Sequence, residues 1–481
     1  MKFKNRKKLQ LHSIVVSALA IVLLLSSSVF FGACKKLVDV PKSSNLVLSK
    51  DVFATNEKAT SAVLGLYNKM VALNLSMSNG GLTIYSALSA DELYNPAPHT
   101  NYDPFSLNNI PSNNGIIYNN FWNTGYKNIY HANAILEGLN NSTTLNNVVK
   151  NQLIGETLVI RALYLFYLTN LYGDVPLVMT TNFERNALMA RTAKEVVTEQ
   201  LITDLKTAIE LLPSAYASAL RARVNSFTAR SLLARVYLYK RDWNNAEIES
   251  TGVISSGIYS LESELNKTFT SSSKETIWQV VRENLNTAEA AVLIPVSATV
   301  LPGLALRENL LNSFELGDQR KSRWTAVNIV NNQRYYYPYK YKIRSGSTVG
   351  ECLIVFRLAE QYLIRAEARA EQGDLRGAVL DLNILRTRSR APVTAEISNP
   401  LPDLSLDLVK SSVLDAVYKE RSNELFCEWG HRWFDLKRTA MANAVLSKLK
   451  PTWKAYAQLY PIPFEETQIN IFLTQNSGYA N

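Results

Sequence analysis

The sequence is poor in the residues that metal sites, disulfide scaffolds and many catalytic centres need. Its 481 residues include only three cysteines and four histidines. No C-x-x-C pair occurs and no two histidines stand four residues apart, so the usual zinc-binding patterns are excluded. A chain of this length must then depend on its hydrophobic core rather than on disulfide bonds. We expect no metal site and no cofactor.

Runs of basic residues are also lacking. The formal net charge is +10, but five of the positive charges lie among the first eight residues. Elsewhere lysine and arginine are interspersed with acidic residues, and no tract follows the pattern that a phosphate backbone requires. We therefore predict that the protein does not bind nucleic acid.

Long apolar runs are absent except near the N-terminus. There a basic start precedes SIVVSALAIVLLLSSSVFFGAC, which ends in small residues before Cys34. This order is typical of a secretory signal, and its end resembles a bacterial lipobox, in which the cysteine becomes the lipidated first residue. We predict a signal peptide at 1–33 and a lipidated Cys34 that begins a tether at 34–50. A transmembrane anchor is the alternative, because the run approaches the roughly 20 residues that span a bilayer.

Beyond residue 50 the apolar residues recur with helical spacing. Two segments also place two alanines twelve residues apart across a polar break, Ala234 with Ala246 and Ala366 with Ala378. Small residues at this spacing let two antiparallel helices approach closely, as in tetratricopeptide-type hairpins. We predict an all-α dominated fold, a repeat architecture of such hairpins in one domain at 51–481 with irregular, loop-rich insertions. The predicted helical segments are about 51–72, 119–139, 147–212, 225–257 and 355–390. Within the third, one long helix is expected from about 147 to 172, ended by Gly173.

Two regions without this periodicity, at about 75–118 and 259–350, are predicted to be ligand-binding insertions. The second includes a short strand candidate, TIWQV. Both are rich in aromatic residues, which argues against disorder. Sugars present apolar C–H faces and many hydroxyls, so their sites combine exposed aromatic rings with amide and charged side chains. Because the insertions contain this combination, we predict an oligosaccharide site. The alternative for each single aromatic residue is that it only packs a loop onto the helices. The candidate ligand-binding residues are Asp91, Tyr94, Asn101, Tyr102, Phe105, Arg323, Trp324 and Tyr335.

Other aromatic and acidic residues near the first insertion have alternative interpretations. Trp122 and Tyr126 are not assigned to the site, because their spacing with later apolar residues predicts a stripe that faces the core. Calcium coordination by the acidic 91–103 loop is a second possibility for that segment. The loop lacks the fixed spacing of a calcium-binding loop, so a calcium site is not our prediction.

The stretch ERSNELFCEWGHRWFDLKR, residues 420–438, has the composition of a catalytic site. A cysteine nucleophile needs a base beside it, and Cys427 and His431 are close enough in sequence to share a helix face. Gly430 stands between them, however, and we expect it to end the helix. We therefore assign no catalytic residue and predict that the protein is not an enzyme.

The charged residues of the same stretch fall on one helix face together with earlier apolar residues. Arg421 is flanked by Glu424 and Glu428 on this face. The pattern predicts a partly buried ion network, with Arg432 pairing with Glu428 beyond the break. Its predicted role is to hold helices together.

Several stretches together resemble the SusD/RagB-like family of outer-membrane lipoproteins. They are GETLVIRALYLFYLTNLYGDVPLV at 155–178, the hairpin at 360–390, the 420–438 stretch, and LYPIPFEETQINIFLTQNSGY at 459–479. With the lipobox, these motifs cover both ends and the middle of the chain. The resemblance implies a tetratricopeptide-like superhelix with an irregular ligand-binding half. It also implies a protein that performs no chemistry and forms a lid over a SusC-like TonB-dependent transporter.

On this basis we expect a lipid-anchored outer-membrane protein that faces the cell exterior and binds oligosaccharides. A peptide-binding member of the same uptake class is one alternative. A repeat scaffold that binds only protein partners is another, and a secreted cysteine hydrolase that uses Cys427 and His431 is a third. The first two alternatives differ from our prediction in the ligand that the protein binds. The third differs because it makes the protein an enzyme.

Overall fold

The structure is a computed structural model that describes residues 49–480 of the chain. The predicted signal peptide at 1–33 and the lipidation site Cys34 lie outside the described residues. Of a first unit at Met1–Val52, the structure describes one helical turn at its end. The second unit begins at Phe53 and contains all the other elements named below.

Helices form most of the regular structure between residues 49 and 480, with six short strands in three two-stranded sheets. The helices are α1 (Ser49–Val52), α2 (Asn56–Val71), α3 (Leu82–Ser89), α4 (Asp103–Ser106), α5 (Thr124–Asn141), α6 (Asn147–Tyr172), α7 (Phe183–Ala187), α8 (Lys194–Leu211), α9 (Ser226–Lys240), α10 (Trp243–Ile254), α11 (Ala288–Leu293), α12 (Glu308–Ser313), α13 (Gln319–Trp324), α14 (Leu358–Gln372), α15 (Leu375–Ser389), α16 (Lys410–Leu425), α17 (His431–Arg438), α18 (Ala442–Leu449) and α19 (Phe464–Ile469). The strands are β1 (Leu93–Tyr94), β2 (Thr276–Val280), β3 (Ala305–Leu306), β4 (Thr325–Val330), β5 (Gln333–Pro338) and β6 (Leu353–Arg357).

The long helices pack largely in chain order, each against the next. Helix α6 lies between α5 and α8, and α9 lies between α8 and α10. After the second insertion the chain returns with α14, which packs on α10, while α15 and α16 complete the stack. The interior of this last part is fully buried and consists of alanine, leucine and valine side chains. The predicted superhelix of helical hairpins is confirmed.

The two hairpins with matched alanines share one turn chemistry. In the first, Arg241 adopts a left-handed conformation with φ 60°, and the Asp242 side chain accepts from the Asn245 amide at the start of α10. In the second, Gly373 (φ 93°) and Asp374 occupy these positions. A capping aspartate satisfies an amide that the helix leaves without an acceptor. All four alanines are fully buried, as close helix packing requires.

Helix α6 contains the central motif of the sequence and is enclosed by its neighbours. Every residue from Gly155 to Tyr172 is buried, so this part of the helix has no solvent face. Its charged side chains are paired, as in the 2.8 Å contact between Arg161 Nη2 and Asp204 Oδ1. The helix ends where the sequence predicted, before Gly173.

One part of the first predicted insertion is helical rather than irregular. Residues Leu82–Ser89 form α3, and the segment Met77–Gly81 that leads into it is a kink with non-helical dihedral angles at Asn79 and Gly80; both segments are buried throughout. The small polar residues that suggested a loop make interior hydrogen bonds instead. Asn79 Nδ2 donates to the carbonyl oxygen of Val71 at 3.0 Å, and Ser78 Oγ donates to that of Met70 at 2.6 Å. Amino-acid composition alone does not show whether such polar side chains are buried and hydrogen-bonded or exposed to water.

The second insertion contains the strands β2, β3, β4 and β5. The predicted strand TIWQV is β2, which pairs antiparallel with β6. Strands β4 and β5 form a hairpin whose turn residues, Asn331 and Asn332, have φ values of 52° and 62°. Asparagine tolerates this left-handed conformation, which tight hairpins require. Strand β3 pairs with β1 and so joins the second insertion to the first. Among the helices described between residues 49 and 480, none has the length and apolar character to cross a membrane.

Candidate ligand-binding site

The 420–438 stretch belongs to a buried ion network, as predicted. Arg357, where β6 meets α14, donates to Glu424 Oε1 at 2.6 Å and to Glu428 Oε2 at 2.8 Å. Arg320 on α13 donates to Glu424 Oε2 at 2.9 Å. Charges at this depth persist because each guanidinium meets several carboxylate oxygens. The network joins the second insertion to α16 of the superhelix.

Two pairings predicted within this stretch are wrong. Arg421 Nε contacts Asp435 Oδ2 on α17 at 2.8 Å, rather than a glutamate on its own helix. Arg432 Nε contacts Asp91 Oδ1 of the first insertion at 2.8 Å, rather than Glu428. Helical spacing indicates which charges share a face, but these partners are brought in by tertiary packing.

Cys427 and His431 lie in a buried turn rather than in an open cleft. The preceding helix ends at Leu425, earlier than predicted, and Gly430 with φ 73° precedes α17 instead of ending α16. Burial raises the pKa of the Cys427 thiol well above its usual value, and the nearby Glu92 carboxyl adds to this rise. Burial also lowers the pKa of His431 well below its usual value. A thiol that stays protonated is a poor nucleophile.

Three of the candidate ligand-binding residues are buried, which corrects their assignment. Trp324 is fully buried and donates from Nε1 to the carbonyl oxygen of Leu265 at 3.0 Å. Phe105 is fully buried in a cluster of aromatic rings. Asp91 is held by Arg432 and is nearly inaccessible. In an irregular segment the sequence has no period from which to tell inward from outward side chains.

Tyr94 and Tyr335, which come from separate insertions, lie together in the structure. Strand β3 pairs with β1, which carries Tyr94, and packs against β5, which carries Tyr335. The guanidinium of Arg307, just after β3, lies 5.8 Å from the centre of the Tyr94 ring. Burial raises the pKa of Tyr94, and the neighbouring Tyr335 adds to the rise. All three side chains are only partly buried. We call this group the tyrosine face.

The loop that follows β1 is folded around Asp103. Its carboxylate accepts from Asn95 Nδ2 at 2.5 Å and from the His99 backbone amide at 3.0 Å. The His99 ring stacks on Tyr102, with ring centres 4.1 Å apart. These contacts hold the partly exposed Tyr102 ring in one orientation.

The two remaining candidates, Asn101 and Arg323, are exposed. The Asn101 backbone amide donates to His99 Nδ1 at 3.2 Å, which places it beside the stacked pair. In the part of the chain between residues 49 and 480, no group of three histidine, cysteine or acidic side chains is arranged to hold a metal ion. Two acidic residues of the loop considered for calcium binding have other partners. Asp91 is paired with Arg432, and Asp103 accepts hydrogen bonds within its own loop.

A groove of about 570 Å³ lies in a part of the structure where the sequence indicated no site. Its walls are α5, the segment 176–187 and the chain around α19. Trp122 and Tyr126, which their spacing assigned to the core, both line it, with ring centres 4.9 Å apart. Trp122 is nearly fully buried, whereas Tyr126 is only partly buried, so its assignment to the core is wrong. The sequence did offer one indication of the groove. The aromatic stripe of Trp122 and Tyr126 continues to Tyr130, whose side chain is 47% exposed in the structure.

Comparison with known proteins identifies the family. Residues 39–238 match the model SusD-like_3, described as "Starch-binding associating with outer membrane", and residues 312–479 match SusD_RagB, described as "SusD family". The chain belongs to the SusD/RagB-like family. It is similar to SusD-like protein P25 of Formosa agariphila, at 24% identity over 90% of this chain and 94% of the relative. This family is associated with the outer membrane.

Solved SusD-like structures share the fold. A SusD superfamily protein from Bacteroides vulgatus superposes with a TM-score of 0.76 at 19% identity, over 89% of this chain and 100% of its own. A laminarin-binding SusD-like protein superposes with a TM-score of 0.74 at 23% identity, over 88% of this chain and 99% of its own. At these identities the likeness establishes the fold, while the ligand-contacting side chains must be argued from this chain.

Proposed function

We propose that this protein captures oligosaccharides at the cell surface and delivers them to a SusC-like TonB-dependent transporter in the outer membrane. The observation that carries the proposal is the tyrosine face, where two phenol rings and a guanidinium from separate insertions meet. Membership of a family described as starch-binding supports the same ligand class. The protein would contribute capture and a lid, and the transporter would contribute the channel.

The chemistry of the tyrosine face suits a sugar. A partly buried phenol ring offers an apolar surface to the C–H face of a pyranose, while its hydroxyl meets the sugar's edge. Arg307 and the nearby Gln333, to which the Tyr335 hydroxyl donates at 2.8 Å, add polar groups around the rings. Asn101 and Tyr102 on the loop after β1, and Arg323 at the end of α13, extend the proposed contact surface.

A lipid anchor completes the proposal. The segment 1–33 would direct export, Cys34 would carry the lipid, and the tether 34–50 would let the domain at 51–481 move relative to the membrane. Radiolabelled palmitate should label the wild-type chain in cells. A Cys34→Ala variant should remain unlabelled and leave the membrane fraction, and a variant that stays membrane-bound would contradict the anchor.

Isothermal titration with laminarin-derived and starch-derived oligosaccharides, alongside a peptide panel, tests the ligand. Tyr94→Ala and Tyr335→Ala should each weaken glycan binding at least tenfold, because each removes one ring. Tyr336→Ala is the matched control, since adjacent residues of a strand point to opposite faces. Binding of peptides only would favour the peptide alternative. No binding of either class would favour a scaffold for protein partners.

A further inference from the structure

The groove between α5, the segment 176–187 and α19 is a built cavity outside the tyrosine face. Tyr126 Oη donates to the carbonyl oxygen of Pro176 at 3.0 Å, which fixes one wall to α5. Asn470 Nδ2, just after α19, donates to the carbonyl oxygen of Met189 at 2.8 Å, which ties this wall to the chain that follows the segment 176–187. The walls are therefore held together without a ligand.

We propose that this groove is a second oligosaccharide-binding site, which rests on the glycan-binding function proposed above. It is separated from the tyrosine face by buried aromatic packing. Phe105, within the first insertion, contacts Tyr460. Tyr460 contacts Tyr172, which packs edge-on against Trp122 at the groove floor. No residue of the tyrosine face lines the groove. A long glycan chain or two short ones would thus meet two separate aromatic surfaces.

Aromatic rings line the groove in the manner that a pyranose face needs. The Tyr126 ring packs at a tilt of 50° against the buried Trp122, and Tyr130 follows one turn later on the same helix face. Phe183 faces them from the segment 176–187 and is 79% exposed. An exposed phenylalanine and tyrosine on facing walls have a solvation cost that a stacked sugar would relieve.

Polar groups stand among these rings. Asn186 donates from Nδ2 to the carbonyl oxygen of Thr180 at 2.7 Å, while its Oδ1 accepts no hydrogen bond within residues 49–480. Burial raises the pKa of Glu466 from its ordinary value, an effect that the nearby Trp122 side chain partly offsets. Burial, and then the charges of Lys69 and Lys127, lower the pKa of His131.

These polar groups favour a sugar over an apolar polypeptide. The lowered pKa keeps the His131 imidazole neutral at pH 7, with one donor and one acceptor nitrogen for hydroxyl groups. Lys127 adds a donor, and Glu466 adds acceptor oxygens. An apolar helix in the groove would bury these groups without partners, which is costly. A sugar stacks on the rings and hydrogen-bonds at its edge, and the volume lies within the roughly 300–1,000 Å³ of small-ligand sites.

Hydroxyl-radical footprinting of the intact protein, with and without a laminarin hexasaccharide or maltoheptaose, locates the contact. We expect protection of Tyr130 and Phe183 at glycan concentrations that saturate binding. In titrations, Phe183→Ala and Tyr130→Ala should weaken binding at least fivefold or remove one of two sites. Leu188→Ala is the matched control, because Leu188 is 57% exposed near Phe183 and does not line the groove.

The outcomes separate this inference from the proposed function. If glycans bind and only the Tyr94 and Tyr335 variants weaken them, the second site is wrong and the proposed function stands. If the groove variants weaken binding or lose a site, the second site is supported whatever the tyrosine-face variants do. If no glycan binds the wild-type protein, both are overturned. Because Tyr130 and Phe183 are exposed, circular dichroism should show both variants folded like the wild type.

Discussion

Arg357 and Glu424 are fully buried and bound to each other twice. The Arg357 guanidinium donates to Glu424 Oε1 at 2.6 Å and to the Glu424 backbone carbonyl at 2.8 Å. Burial alone would raise the pKa of Glu424, but the guanidinium groups of Arg388, Arg357 and Arg320 outweigh it and hold the pKa well below its usual value. The pair joins β6, in the sheet that closes the second insertion, to α16 of the superhelix.

Removing this guanidinium should destabilise the protein strongly. Arg357→Met leaves the carboxylates of Glu424 and Glu428 buried with fewer partners, which costs about 3–5 kcal/mol for a buried pair. Urea unfolding followed by circular dichroism measures the loss. Lys240→Met, which removes an exposed pair with Glu199, is the control and should change stability by less than about 1 kcal/mol. Equal effects of the two substitutions would contradict a structural role for the network.

Two buried acids should make the folded state less stable at alkaline pH. Burial, and then the Asp91 charge, raise the pKa of Glu92 from 4.5 to about 8, against the opposing charges of Arg432 and Lys340. Burial raises the pKa of Glu289 likewise to about 8. Between pH 4.5 and about pH 8, each of these carboxyl groups stays protonated in the folded state but loses its proton in the unfolded state. The free energy of unfolding therefore falls as pH rises, by up to about 1.4 kcal/mol per pH unit for each group.

Glutamine substitutions should remove this slope. Glu92→Gln and Glu289→Gln should each be more stable relative to the wild type at pH 8.5 than at pH 5.5, in denaturation curves at both values. Glu184→Gln, on the exposed side of α7, should keep the wild-type slope. Parallel pH profiles for all four proteins would mean that the two acids do not hold protons in the folded state.

Both described cysteines should resist alkylation in the native protein. Cys352 and Cys427 are free and buried, and burial raises the pKa of each thiol, that of Cys352 to about 11. Iodoacetamide with peptide mass spectrometry should find both unmodified before unfolding and modified in urea. Ser322→Cys places a thiol at an exposed position and should react at once. Rapid native labelling of Cys427 would revive the cysteine-hydrolase alternative.

A methyl group at Gly430 should disrupt the turn between α16 and α17. The residue has φ 73°, and an added Cβ would lie 2.8 Å from Ser86 Cβ on α3. Gly430→Ala combines backbone strain with this clash and should cost about 1–3 kcal/mol. Gly303→Ala is the control, because a Cβ there meets nothing within 4 Å. Thermal unfolding distinguishes them, and a Gly430→Ala protein as stable as the control would contradict the contact.

Local patterns in the sequence predicted the parts of the fold that depend on neighbours in the chain. The long helices, the turn at Gly373 and Asp374, and the strand TIWQV depend on apolar period, capping and β-propensity. The prediction that the hairpins form a superhelix came from the resemblance of the motifs to the SusD/RagB-like family. The site was predicted less completely, since Tyr94, Tyr102 and Tyr335 remain accessible while Phe105 and Trp324 are in the core. Arg307 and the groove were missed because their neighbours lie far away in sequence.

The sequence alone determined a helical repeat protein with an N-terminal export signal pattern, and a buried charge network where acids and arginines share a helix face. Only the tertiary structure decided which partner each charge takes, so that Arg432 binds Asp91 rather than Glu428. It also decided that Tyr94 and Tyr335 share one surface and that Tyr126 lines a groove. Helical spacing is a property of adjacent turns, whereas these contacts arise when segments hundreds of residues apart pack against one another.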